Sequence, residues 1–173
     1  MGRSALNANT TADNNTAVGR NTLVLNTTGT DNVAVGAYAL DANTTGNDNT
    51  AIGDNALGAN TTANSSVAVG SSALLVNTTG ARNIGIGMQA LTDNTTADDN
   101  IGIGYRALYE NTTGEYNTAV GGNALDANTT GGSNVAIGLD ALGANTTADS
   151  NVAIGRGALY VSTTGANLSL IHI

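Results

Sequence analysis

N-V-A-V-G-A-Y-A-L-D-A-N-T-T-G-N-D, residues Asn32 to Asp48, is one turn of a pattern that fills almost the whole chain. Aligning Asn32 with Asn15, Asn49, Ser66, Asn83, Asn100, Asn117, Asn134 and Asn151 gives a spacing of 17 residues each time, with no insertion. Nine full copies occupy 15–167, and a partial copy at 2–14 precedes them. Met1 stands where Val or Ile usually stands, so either translation starts in mid-repeat or the chain is a fragment. Numbered from its Asn, the repeat has Gly at position five in every copy, from Gly2 to Gly155, and Leu at position nine, from Leu6 to Leu159. Positions thirteen and fourteen are always Thr-Thr, and position twelve is Asn except at Ser162.

A period this short and regular marks a solenoid, in which each repeat is one coil that buries its apolar face only against its neighbours. Seventeen residues hold two helices and their turns poorly, whereas the Gly, Asn and Thr content and pairs such as Val33/Val35 and Ile84/Ile86 favour short strands. The reading is an all-β protein: a β-solenoid, or β-roll, of about ten coils with two short strands per coil. Strands are expected at positions two to four and eight to eleven, a glycine-assisted turn at five to seven, and a longer turn at twelve to seventeen. At roughly 4.8 Å per coil the rod is about 48 Å long.

Alternation along the first strand assigns its faces. Positions two and four carry Thr, Val or Ile and are expected to face inward with the Leu of position nine. Position three then faces outward, as Ala17, Ala34, Ala51, Ala68, Gly85, Gly102, Ala119, Ala136 and Ala153. Such a column of small residues reads as the interface with a second copy of the chain. Three aliphatic side chains per coil are little return for ordering seventeen residues, which also points to lateral association. End-to-end growth is the other route, because an uncapped last coil offers open strand edges.

Composition narrows the function. Among 173 residues there are 23 Gly and no Pro, Cys, Trp or Phe, which suits a thin repeated core better than one thick hydrophobic centre. A net charge of −8 argues against nucleic acid and anionic membrane surfaces as partners. No apolar run reaches the length of a spanning helix. Absence of cysteine fits an extracellular or surface location only weakly. A longer rhythm is also present: D-A-N-T-T-G at Asp41 recurs at Asp126, and G-A-N-T-T-A at Gly58 recurs at Gly143, both five coils apart, most simply by segmental duplication. Residues 168–173, L-S-L-I-H-I, break the repeat and read as an artefact at the end of a truncated frame rather than a capping strand.

No enzyme is read in this sequence, and no metal or cofactor. Catalysis needs a few different residues held together, whereas the chain repeats one set along a rod, and its single histidine, His172, lies in the tail. Turn carboxylates such as Asp13, Asp31, Asp48, Asp98, Asp99 and Asp149 are solvated turn residues lacking a calcium-loop spacing. Asn-Thr-Thr is an acceptor pattern for N-linked glycan, at Asn9, Asn26, Asn43, Asn60, Asn77, Asn94, Asn111, Asn128 and Asn145. The same asparagines could instead form a side-chain ladder between coils, with Thr-Thr satisfying turn amides. Ranks of Thr also suggest an ice-binding solenoid, a minor reading because adjacent Thr residues point opposite ways.

N-V-A-V-G, N-T-A-I-G and N-V-A-I-G followed by A-L resemble the S-V-A-I-G-x-x-A repeats in the heads of trimeric autotransporter adhesins. They are also similar to the N-T-A-V-G…A-L…N-T-T-G arrays in fibre shafts of bacterial and phage proteins. The resemblance covers Gly2 to Asn167, although the coil is a few residues longer than the usual adhesin repeat because of its N-T-T-G turn. It implies a β-roll that trimerises and spaces or presents a surface fibre. The expected function is therefore a structural segment of an extracellular or surface fibre, partnered by copies of itself as a trimer or filament and glycosylated at the Asn-Thr-Thr turns. The alternative is an adhesin or phage tail-fibre head that binds a host or surface ligand through variable positions, including Tyr38, Tyr105, Tyr109 and Tyr160.

Overall fold

The structure, a computed structural model, describes residues 2–171. Ten three-residue strands follow one another: β1 (Thr16–Val18), β2 (Val33–Val35), β3 (Thr50–Ile52), β4 (Val67–Val69), β5 (Ile84–Ile86), β6 (Ile101–Ile103), β7 (Thr118–Val120), β8 (Val135–Ile137), β9 (Val152–Ile154) and β10 (Ser169–Ile171). They form one parallel sheet in chain order. Every pair is in register by one repeat, as in Val33 opposite Thr50 and Ala34 opposite Ala51. The chain is thus an all-β parallel solenoid with coils of 17 residues. Residues 169–171 of the non-repeating tail continue the sheet, with Leu170 opposite Ala153; His172 lies outside the described residues.

The second strand expected at positions eight to eleven is not formed. That wall of the coil is a run of turns held by left-handed backbone at position seven and at the Leu of position nine, whose φ lies between 49 and 54° from Leu6 to Leu159. Left-handed Leu costs about 1 kcal/mol or more. Full burial of the side chain, worth roughly 1.5–3 kcal/mol, offsets it, and Leu23 through Leu142 are completely buried. The turns still pair between coils: Leu57 N–H donates to Ala73 C=O at 3.0 Å, and Asn55 N–H donates to Ala37 C=O at 2.9 Å.

Position five joins the two walls and demands glycine for two reasons. At Gly70 φ is +137°, and a Cβ would stand 2.5 Å from the carbonyl oxygen of Gly87 in the next coil. Stacking glycine on glycine at every coil is what allows the sharp bend to repeat at the strand spacing.

The faces of the strand are the reverse of the expected ones. Position three points into the coil, fully buried from Ala34 to Ala153, and positions two and four point out. The reason is the thinness of the coil. A Cβ on Gly102 would lie 3.0 Å from the carbonyl oxygen of Ala107 on the facing wall and 3.2 Å from Leu91 Cγ of the preceding coil. Only Ala or Gly fits between walls so close, so Val and Ile are placed outside despite their greater hydrophobicity. The apolar core is the stack of position-three Ala, position-eight Ala and position-nine Leu.

Candidate functional site

Two columns of asparagine complete the interior. The position-twelve residues Asn26, Asn43, Asn60, Asn77, Asn94, Asn111, Asn128 and Asn145 are all fully buried. Asn111 Nδ2 donates to Asn94 Oδ1 at 3.0 Å and to Gly114 C=O at 2.9 Å. Position one forms the second column: Asn100 Nδ2 donates to the same Gly114 carbonyl at 2.8 Å, and Asn117 N–H donates to Asn100 Oδ1 at 2.9 Å. In each regular coil two amides from opposite ends of the turn therefore converge on one carbonyl, that of position fifteen. Buried amides left unpaired would cost about 1–3 kcal/mol each, so the pairing is what makes a half-polar core stable.

This geometry places the Asn-Thr-Thr motif in the ladder that was one of its two readings. In the folded rod, Nδ2, the atom a glycan would occupy, is enclosed at every candidate from Asn26 to Asn145 and spent on the preceding Asn of the column, the position-fifteen carbonyl or both, Asn77 on the Gly80 carbonyl alone. Asn9, half-buried in the partial first copy, donates to Ala12 C=O at 3.0 Å. At eight of the nine sequons, Asn26 to Asn145, the fold buries the acceptor nitrogen and gives it a hydrogen-bonding role in the turn. The threonines divide the turn between them: the position-thirteen hydroxyl donates to the next coil, as Thr44 Oγ1 does to Thr61 C=O at 3.0 Å, while position fourteen is exposed, as at Thr45 and Thr130.

The candidate interface is corrected in the same way. Ala34, Ala51, Ala68, Ala119, Ala136 and Ala153 are fully buried inside the coil, Gly85 and Gly102 are buried, and Ala17 is 9% exposed, so none is available to a second copy. What the sheet presents outward is the Val/Ile/Thr set of positions two and four. Val18 is 49% exposed, Ile52 40% and Ile137 40%, and position six extends this surface through Met88, Tyr105 and Leu139.

The four tyrosines of the adhesin reading do not converge. Tyr38 lies under the Arg20 guanidinium, 4.7 Å from its ring centre, and Tyr109 lies under Arg106 at 4.0 Å. Tyr105 and Tyr160 are exposed in coils three repeats apart. Among the described residues no three carboxylate or histidine side chains gather as a metal site. Asp98 and Asp99 are both bound by Arg82 of the preceding coil, at 2.9 and 2.7 Å, and the guanidinium holds the Asp99 carboxyl below its ordinary range.

Sequence reasoning missed the rung at position sixteen. Where this residue is Asn or Asp, its side-chain oxygen accepts the position-sixteen N–H of the preceding coil: Asn64 from Asn47 at 2.7 Å, Asp98 from Ala81 at 2.8 Å, and Asp149 from Gly132 at 2.7 Å. The signal was the enrichment of that column in Asn and Asp, which solvated turns explain equally well. Tyr116, the most exposed tyrosine at 60%, also went unremarked.

Compared with protein-family models, curated proteins and solved structures, the chain matches none.

Proposed function

We propose that this chain is a structural segment of an extracellular or surface fibre, and that its rods associate side by side through the outward face of the sheet. The observation that carries the reading is the chemistry of that face. An ordinary water-facing strand surface shows Thr, Lys, Glu or Ser, yet β1 to β9 present Val and Ile at positions two and four with only Thr16, Thr50 and Thr118 interrupting them. Nine strands at about 4.8 Å, each three residues of about 3.3 Å, make a strip roughly 40 Å long and about 10 Å wide across positions two to four, about 400 Å². That lies within the range of the largest apolar patch a monomer leaves exposed and is about half of the ~800 Å² each partner buries in a standard interface. The strip is regular along the rod, so a second copy meets it with matching spacing at every coil. Resemblance to adhesin heads and fibre shafts supports a trimer.

Ile103→Glu tests this reading. It places a charge on the outer face without touching the core, and sedimentation equilibrium is expected to show an oligomer for the unaltered chain and a folded monomer for the variant. An unaltered chain that sediments as a monomer, or a variant of unchanged mass, removes the proposal.

A further inference from the structure

We propose that the notch at Gly132 is a binding site for a neutral sugar, one pyranose unit in size. It lies on the turn edge and uses none of the residues of the strand face. Position sixteen usually fills this edge with a side chain, but in coil 117–133 it is Gly132, which leaves a depression of about 380 Å³. Glu115 and Asp149, the position-sixteen residues of the coils on either side, flank it about 9.6 Å apart at roughly 4.8 Å per coil. Thr113, Tyr116, Thr130, Ser133 and Ser150 complete the lining.

The groups left free there are mixed in kind. Glu115 N–H loses the acceptor that an Asn or Asp at 132 would supply, and has none among the described residues. Asp149 gives one oxygen to Gly132 N–H and keeps the other, while the Glu115 carboxylate has no partner among the described residues. Two carboxylates exclude anionic ligands. A cation would satisfy the carboxylates but would set itself against the free N–H, which needs an acceptor. Sugar hydroxyls both donate and accept, so they serve the carboxylates, the N–H and the Thr130 and Ser133 hydroxyls together. The exposed ring of Tyr116 supplies the flat apolar surface on which the C–H face of a pyranose rests.

The repeat itself provides a variant that closes the notch and keeps the fold. Asn occupies position sixteen at Asn47 and Asn64, where it accepts the neighbouring N–H, so Gly132→Asn restores the missing rung to Glu115 while filling the site. Saturation-transfer NMR with methyl α-D-glucopyranoside, galactopyranoside and mannopyranoside at millimolar concentration is the assay, with L-argininamide as the cationic probe. The expected result is contact signals from at least one glycoside with the unaltered chain. These weaken at least tenfold in Gly132→Asn, whose melting temperature is unchanged or raised, and in Tyr116→Ala. Silence of all three glycosides overturns the proposal, as does binding of argininamide alone or binding that persists in Gly132→Asn. Lateral association is read separately by sedimentation.

Discussion

At the scale of single residues, the coil sets chemical constraints that hydrophobicity alone does not express. Asp41 and Asp126 occupy equivalent positions five coils apart, each half-buried on the turn wall. Burial pushes both carboxyls above their ordinary value of 3.8. For Asp126 the nearby Asp140 and Glu110 act in the same direction, against Arg106. A raised carboxyl favours the protonated form in the folded state. Its charge therefore opposes folding in full at every pH above the folded value, and this cost shrinks as pH falls through that value and is gone below the unfolded one. Asp126→Asn is accordingly expected to raise the urea midpoint at pH 7, with the advantage shrinking as pH drops and disappearing below 3.8. A midpoint difference that does not vary with pH would locate the effect in packing instead. The same scale explains the inverted strand: Ala at position three is buried because the facing carbonyl leaves space for one methyl group, and Val at positions two and four is outside because nothing larger than Ala fits in.

At the scale of the elements, each ladder is only as continuous as its rungs, and one coil shows what a missing amide does. Ser66 replaces the position-one Asn of coil 66–82, so Gly80 C=O receives a single amide, that of Asn77 at 2.8 Å, where other carbonyls of this column receive two. Drawn fully onto Gly80, Asn77 makes no bond to Asn60, whose buried Oδ1 is left without a partner. The position-twelve column is thus interrupted at the junction of coils 49–65 and 66–82, while the position-one column continues through Ser66, whose N–H donates to Asn49 Oδ1 at 3.0 Å and whose hydroxyl accepts Asn83 N–H at 3.2 Å. Ser66→Asn is expected to restore the donor to Gly80 and to return Asn77 to Asn60, a gain of about 1–2 kcal/mol. It should appear as a higher urea midpoint together with slower amide hydrogen exchange at this junction. An equal or lower midpoint would show that the ladder does not couple the two columns. A second gap arises within the position-twelve column itself: Ser162 stands there in place of Asn, and Asn145 Oδ1 is left unpaired. Much of this was legible in the sequence. The 17-residue period, the absence of helix, the strand at positions two to four and the glycine bend all follow from pattern and propensity. The second wall beyond the expected turn at five to seven was not legible, because its left-handed residue at position nine is Leu in every copy rather than glycine, so nothing marked it as a turn. The inward face of the strand was not legible either. Alternation fixes that two and four share a face, but the choice between faces depends on how thick the coil is.

At the scale of the whole molecule, the described chain is a rod with a half-polar interior and an apolar outer strip, the inverse of the usual arrangement. Hydrogen-bond ladders and the Leu stack hold each coil to the next, while the strip along β1 to β9 is the surface proposed to meet other copies. That reading depends on one assignment, which residues of the strand face out, and the chain contains no cysteine to complicate a chemical test of it. Thiol labelling of Ile137→Cys and Ala136→Cys, followed as protein concentration is raised, measures it most directly. The account predicts that Cys at 136 stays unreactive at every concentration, whereas Cys at 137 labels readily in dilute solution and becomes protected over the range in which the rods associate. Labelling at 136 with protection at 137 in dilute monomer would contradict the assignment of the faces, and labelling at 137 that never depends on concentration would contradict association through them.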